Sequence, residues 1–509
     1  MNNPKPYTKY KDSGIQWLGE IPEHWEVRKL KNSARIKTGR TPKIESSSID
    51  YFKDGNVDWF TPSDFKNSNG SLYNSRRKIN ALAIENSQID CFQENTVFLV
   101  GIGATIGKIG ISNSMSSANQ QINAIIFNEN FIPKFGYYAL LVGNIQIKFL
   151  ADFTTLPILN QSKTKEIVTP YPPLSEQLAI ANFLDYKLSK IDRFIQKKKQ
   201  LIKLLKEQKA GIINDAVTGK INCLNNCLNQ DLQDDKIKQD SKKSYKSLNP
   251  TNPDSDRSMK PSGIEWLGDI PEHWEVRKLT GVCGFVRGNS SFKKDELLNN
   301  GKYVALQYGK TYKVNEVNEK YEFYVNDEFY KVSQVVNHRD VILISTSETI
   351  QDLGHTVFYN RSDIGLLGGE QILLKPSNDI VNEKFLYYSS KVFTKELKKY
   401  ATGVKVFRFN ISDLKTIYTS VPPVQEQKQI VSYIEKETAQ INLIIQTIEK
   451  EIALTQEYRV ALIAEAVTGK IDVREYCQNQ DWQDDRIKQD FDENSDELVE
   501  INDDENNEE

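Results

Sequence analysis

Few side chains in this 509-residue sequence have the types and spacings that would let one chain carry out a reaction. The glycine-rich run GIGATIGKIG at 101–110 invites comparison with a phosphate loop. The pattern G-x-x-x-x-G-K-[ST] requires glycine at 102 and a hydroxyl at 109, where Ile102 and Ile109 stand, so it fails twice. As a methyltransferase cofactor loop it would need an acidic-Pro-Pro-aromatic partner. The two Pro-Pro pairs lie in Pro170-Tyr171-Pro172-Pro173-Leu174 and Ser420-Val421-Pro422-Pro423-Val424, with no Asp or Asn to accept an amino group. There are four histidines, two of them (His24 and His273) in a repeated segment, and no nucleophile-base or metal-ligand constellation is visible. Of the five cysteines, at 91, 223, 227, 283 and 477, only Cys223 and Cys227 are close together. One C-x3-C without a second pair is a poor zinc site and reads as free thiols in a reducing cytoplasm.

What is left is the chemistry of contact. Lys and Arg suit phosphates, while amides and other hydrogen-bonding side chains suit base edges. In the first half Lys37, Arg40, Thr41, Lys53, Lys66, Arg76, Arg77 and Lys78 sit in or beside turns, with Asn119, Gln120 and Gln121 as amide readers. In the second half Arg287, Asn289, Lys293, Lys294, Gln307, Lys310, Lys405 and Arg408 have the same chemistry. Gln121 and Gln371 each precede an isoleucine, so they are either readers or internal. The net charge of -3 conceals this basic character. Asp481 to Glu509 holds fourteen acidic and two basic residues, an acidic tail expected to be disordered, and the remaining body carries about +9. No run approaches the roughly 18 apolar residues of a membrane span, and MNNPKPYTKYKD lacks the apolar core of a signal peptide; the expectation is a cytoplasmic protein without membrane contact.

The elements that must position these residues come in two copies. GIQWLGEIPEHWEVRKL at 14–30 returns as GIEWLGDIPEHWEVRKL at 263–279, AVTGKI at 216 returns at 466, and NQDLQDDKIKQD at 229 returns as NQDWQDDRIKQD at 479. Between these landmarks LVGIGATI at 99 lies opposite LISTSETI at 343, Gln121-Ile122 opposite Gln371-Ile372, and Asn160 opposite Asn410. Apolar residues match while polar ones differ, as in tandem copies of one fold with different surfaces. From about 27 to 170, and again from 276 to 420, β-branched and aromatic runs alternate with Gly, Asn and Ser turns, which predicts mixed α/β modules with a few helices, one around GYYALLVGNIQIKFL at 136. The Trp17, His24, Trp25 and Trp266, His273, Trp274 clusters read as packing where module meets helix.

After each Pro-Pro pair the pattern turns helical, with Ser175, Glu176 and Gln177 placed to help close the N-terminus. Leu184, Leu188, Ile191, Ile195, Ile202 and Leu205 continue at heptad spacing, with Lys198 on the same seam; Ile441, Ile445, Ile448 and Ile452 answer in the second half. Each segment would span roughly 65 Å if continuously helical. Lys187 to Lys209 holds nine basic and two acidic residues, whereas Glu435 to Arg459 holds three basic and five acidic, which favours pairing of the two helices with each other. The polar linker is long enough for the pairing to be antiparallel. The expected divisions are 1–170, a first α/β module; 171–221, its helix; 222–260, the linker; 261–420, a second module; 421–475, its helix; and 476–509, the tail.

The opening GIxWLGxIPxHW, the PP-x-x-EQ segment and a long helix ending in AVTGKI each occur twice in the same order. In this the chain resembles the specificity (S) subunits of type I restriction-modification enzymes, over nearly its whole length. Thr38-Gly39-Arg40-Thr41-Pro42 and Asp58-Trp59-Phe60-Thr61-Pro62 look like one common type of target-recognition domain. The second half carries Arg287-Gly288-Asn289-Ser290 instead of a TGxTP stretch and looks like another subtype, so residue roles do not transfer between halves. The resemblance implies an α/β protein with two tandem mixed α/β DNA-recognition domains and the two long helices paired as an antiparallel coiled coil. It implies a subunit without catalysis or cofactor of its own that reads a split, asymmetric site in double-stranded DNA. Two modification (methyltransferase) subunits and, through them, restriction subunits would be its partners, and these would use S-adenosylmethionine, ATP and Mg. An enzyme acting alone finds no site here, and a coiled-coil scaffold without DNA binding leaves the basic turns without a purpose.

Overall fold

Strand Val97–Val100 reads VFLV and is buried at every position, because it lies in the middle of a sheet covered on both faces. The computed structural model describes residues 4–42, 50–65, 69–153, 157–221, 258–377 and 379–475. Lys66, Cys223, Cys227, Cys477, most of the linker and the acidic tail lie outside the described residues. Two compact units divide the chain, one from residues 1–198 and 450–509, the other from residues 199–449.

In the first unit the sheet order is Ala34–Thr38, Ile122–Phe127, Val97–Val100, Ile109–Ser112, Asn69–Leu72. Neighbours are antiparallel except the last pair, which is parallel. The second unit repeats the plan with Cys283–Arg287, Gln371–Pro376, Val341–Ile344, Thr356–Tyr359 and Glu316–Val317, again with only the last pair parallel. A smaller sheet flanks each: Ser116–Ala118, Val57–Phe60 and Lys78–Ile79 in one, four strands including Tyr303–Leu306 and Gly365–Leu367 in the other. Helices Pro133–Val142 and Glu383–Leu397 cover the sheets.

Strand register corrects one alignment. Thr38 pairs with Asn123 and Arg287 with Ile372, and the amides of Gly39 and Gly288 donate to the carbonyls of Ile122 and Gln371. Gln371 therefore stands where Ile122 stands, and Glu370 where Gln121 stands. The offset between the halves is 249 residues both at Gly14/Gly263 and at Phe127/Pro376, and one additional residue before Asn382 makes it 250 afterwards; a one-residue slip exchanges the faces of a strand.

The two long helices are Leu174–Val217 and Val424–Val467, 44 residues each. Glu176 and Gln177 do not close the first turn with their side chains. Gln177 accepts from the Ile132 amide at 2.9 Å and donates to the Pro172 carbonyl at 2.9 Å, and Gln427 does the same with Asn382 and Pro422. Buried glutamines thus satisfy backbone groups where chain and helix meet. Glu176 accepts from Tyr7 Oη (2.9 Å) and Trp25 Nε1 (3.0 Å), and His24 Nε2 lies 2.7 Å away. Leu184, Leu188, Ile191, Ile195, Ile441, Ile445 and Ile448 are buried; Ile202, Leu205 and Ile452 are half-buried. In the first unit Asp192 pairs with Arg459 (3.2 Å) and Lys198 with Glu451 (2.7 Å), so the helices run antiparallel there. In the second unit Lys209 Nζ donates to Asn442 Oδ1 at 2.7 Å.

Each core is completed by the other half's helix. Leu462, Ile463, Ala466 and Val467 pack with Leu18, Ile21 and Trp25, while Ile213, Ala216 and Val217 pack with Ile270 and Trp274. The AVTGKI glycines explain their own identity. Gly469 has φ +73° and Gly219 φ +76°, and a Cβ would sit 2.4 Å from Pro22 Cδ or 2.3 Å from Pro271 Cδ. Tyr10 Oη donates to the Gly469 carbonyl (3.0 Å), and Ser420 Oγ to that of Val217 (2.7 Å). The repeated opening segment is a socket for a repeated helix end.

Candidate nucleic-acid interface

In the first unit the turn after Ala34–Thr38 is pressed against the turn after Ser116–Ala118. A Cβ on Gly39 would lie 2.2 Å from the Ala118 carbonyl oxygen, so only glycine permits the approach. Four of the expected residues come together here. Lys37 and Arg40 share the Asp90 carboxylate, Arg40 through Nε at 3.2 Å, and the exposed Thr41 hydroxyl donates to Oε1 of exposed Gln120. Asn119 turns inward: it is buried, its Nδ2 donates to Gln121 Oε1 (3.0 Å), and its Oδ1 accepts the Gln121 amide (3.1 Å). Arg76, Arg77 and Lys78 form a second group near the smaller sheet. The Arg77 guanidinium lies 3.6 Å from the Phe52 ring centroid, Lys78 is 3.9 Å from Asp58, and the Arg76 backbone amide donates to Asp64. Trp59 links the groups, donating from Nε1 to the Arg40 carbonyl (2.9 Å) with Arg77 over its ring. Lys53 is exposed on the neighbouring turn, and its carbonyl accepts from Asn80.

In the second unit the equivalent turns enclose an open cleft of about 490 Å³, lined among others by Arg287, Asn289, Ser290, Gln307, Tyr308 and Glu370. Arg287 donates to Asn410 Oδ1 (3.1 Å), Lys331 to Asn289 Oδ1 (3.3 Å), and Gln307 Nε2 to the Phe292 carbonyl (3.2 Å). Arg408 is the strand partner of Thr346, whose hydroxyl donates to Glu370, and Lys405 is exposed in the loop between Thr402 and Arg408. Lys293 and Lys294 are exposed beside Phe292. Lys310 is separate: its ammonium lies 4.5 Å from the Phe323 ring centroid in another hollow, with Lys313, Glu316 and Lys320. Gln371 is internal, fully buried and donating to the Leu306 carbonyl at 2.7 Å.

Sequence reasoning passed over Tyr308 and Glu370. The Gly368-Gly369 pair was the available signal, since it marks a turn with room beside it. Glu370 holds φ +63°, a left-handed conformation uncommon for a side chain of this kind. Among the described residues no cluster of three or more His, Cys, Asp or Glu is placed to hold a metal ion, and no helix is long and apolar enough to cross a membrane.

Residues 22–205 and 271–454 both match the family described as the type I restriction modification DNA specificity domain. The chain belongs to this family. Similar proteins include the type I restriction enzyme MjaIX specificity subunit of Methanocaldococcus jannaschii, 23% identical over 477 residues covering 92% of this chain and 98% of that one. The EcoBI specificity subunit of Escherichia coli is 23% identical over 381 residues, 71% of each chain. The fold is shared with a solved chain from work on complex assembly and conformational transition of the type I R-M system, at a TM-score of 0.56 and 14% identity over 89% of this chain and 99% of that one. As a type I specificity subunit the chain is a DNA-recognition subunit and not the enzyme of its system. Both matched stretches of this specificity subunit stop short of the AVTGKI helix ends, which serve the opposite half.

Proposed function

We propose that the two modules read the two halves of one asymmetric, bipartite site in double-stranded DNA, and that the paired helices fix the unread gap between them. One observation carries this reading. The same pair of turns is built twice on the same strand framework, once with Lys37, Arg40, Thr41 and Gln120 on or beside them, once with Arg287 and Asn289, while Gln307 and Arg408 stand on adjoining elements. Equal frameworks with unequal tips are what reading two different half-sites requires. Arg and Lys supply phosphate neutralisation, while Arg, Asn and Gln hydrogen-bond base edges. Asn119 serves this reading by holding Gln121, and Lys53, Arg76, Arg77, Lys78, Lys293, Lys294 and Lys405 serve it as phosphate contacts.

The subunit directs two modification (methyltransferase) subunits to the site and, through them, restriction subunits. S-adenosylmethionine, ATP and Mg belong to those partners, and the setting is the cytoplasm. The working divisions are recognition modules at 1–170 and 261–420, helices at 171–221 and 421–475, a linker at 222–260 and a tail at 476–509. Mapping methylated positions in the host genome with and without this gene tests the proposal. A split motif that vanishes with the gene is the expected result; an unchanged methylation pattern overturns it.

A further inference from the structure

Resting on that reading, we infer that Glu370 is a specificity-determining residue of the second module, which accepts a hydrogen bond from the exocyclic amine of a base in the major groove, cytosine N4 or adenine N6. Three observations lead there. The carboxylate lines the open cleft together with Arg287, Asn289, Gln307 and Tyr308. Arg287 lines the same cleft, and Arg408 is the strand partner of Thr346, whose hydroxyl donates to Glu370. On a surface that meets phosphates a carboxylate is repelled, so its presence among these arginines makes sense where it meets a base edge that donates.

The second observation is polarity. The Thr346 hydroxyl donates to one carboxylate oxygen, which fixes the side chain and leaves the other oxygen as an acceptor only. An acceptor pairs with the amines of cytosine and adenine and is repelled by the O6 and N7 of guanine and the O4 of thymine. Gln120 of the first module, also held by a threonine hydroxyl at its carbonyl oxygen, presents an NH2 donor instead. The two modules therefore offer opposite hydrogen-bond polarity beside corresponding turns.

The third observation is backbone cost. Glu370 follows Gly368 and Gly369 and sits at φ +63°, where a third glycine would be unstrained. A glutamate held there against its backbone preference points to a use for its side chain.

The test is built on that strain. Full-length Glu370→Gly and Glu370→Gln are compared with the natural chain, each assembled with its methyltransferase partner. Binding is measured on duplexes in which every position of the motif is varied in turn. Glu370→Gly is expected to melt no lower than the natural chain yet to lose about tenfold or more discrimination at one position of one half-site. At that position the natural chain prefers cytosine or adenine, and the substitution series identifies which. Glu370→Gln is expected to admit guanine or thymine there. Both variants bind non-specific DNA at least as tightly at low salt, since a negative charge is gone. Discrimination unaltered at all positions, or affinity lost evenly for every sequence, overturns the assignment. If the natural chain itself shows no sequence preference with its partner, the DNA-reading proposal fails instead, a result distinguishable from both.

Discussion

Arg40 and Lys37 converge on Asp90, so neither acts as a lone surface charge. The Arg40→Ala substitution is expected to weaken specific binding by about 1–3 kcal/mol if it contacts a base bidentately, with the loss confined to one half of the motif. Gel-shift titration on half-site variants checks this, and equal losses in both halves would contradict it. A second residue carries a pH signature. Lys391 donates to Asn315 Oδ1 at 3.2 Å and lies over the Tyr387 ring, and burial, reinforced by the nearby Lys209, brings its pKa down to about 8. The unfolded value is about 10.4, so the unfolded chain binds more protons between those values and stability rises with pH across that window. Lys391→Met is therefore expected to stabilise the chain at pH 7 by about 1 kcal/mol, after allowance for solvent screening, and the gain should vanish near pH 10. Paired thermal melts at pH 7 and pH 10 provide the comparison. Neither residue's partner was visible in the sequence: Asp90 is 50 residues from Arg40, and Lys209 is 182 residues from Lys391.

At the scale of elements, what depends on local periodicity was legible. Apolar runs such as VFLV and VILI became the central strands, and the heptad positions Leu184 to Ile195 and Ile441 to Ile448 are buried, while Ile202, Leu205 and Ile452 are half-buried. What depends on a one-residue count was not. The extra residue after Pro376 moved Gln371 into the core and left Glu370 at the cleft, although matching letters paired Gln371 with Gln121. Charge counting expects the helices to pair with each other, and the Lys198–Glu451 contact has that sense. The Asp192–Arg459 contact has the opposite sense, because side chains meet singly and not as averages. The socket at the helix ends gives a sharper expectation. Gly219→Ala and Gly469→Ala each combine left-handed strain with a Cβ inside contact distance of a proline, at an expected cost of about 2–4 kcal/mol. Gly14→Ala, also at positive φ but facing open space, should cost only about 1 kcal/mol. Denaturant unfolding of the full chain distinguishes the two classes, and equal costs would show that the proline contacts do not matter.

At the scale of the molecule, each half supplies a socket and a helix end that fits the other half's socket, and the two sockets share nearly the same sequence. A fragment ending near residue 240 can therefore seat its helix end on a second copy of itself. Two such helices carry about +7 each between Lys187 and Lys209, with Lys198 deprived of Glu451, so this dimer should be weak and should tighten as salt screens the repulsion. The second-half fragment, near -2 over the equivalent stretch and with Ile441, Ile445, Ile448 and Ile452 uninterrupted, should dimerise more readily. Sedimentation of both fragments across a salt series checks the order. Tighter association of the first fragment at low salt would mean that the charged faces point away from the seam.

The socket also imposes a timetable on synthesis. The unit of residues 199–449 is one uninterrupted stretch, so every side chain of its core exists once residue 449 has been made. The other unit starts first and finishes last. Trp25, Ile21 and Leu18 are translated before the whole of the other unit, and their neighbours Ala466, Val467 and Val473 come some 440 residues later. Until then an apolar surface meant for the interior has no native cover, the condition under which partly folded chains associate wrongly. Closing so long a loop is slow but thermodynamically cheap, because loop entropy grows only with the logarithm of length. The module made first is thus the one that must wait, and it is the newborn chain, more than the finished protein, that needs protection along its opening residues.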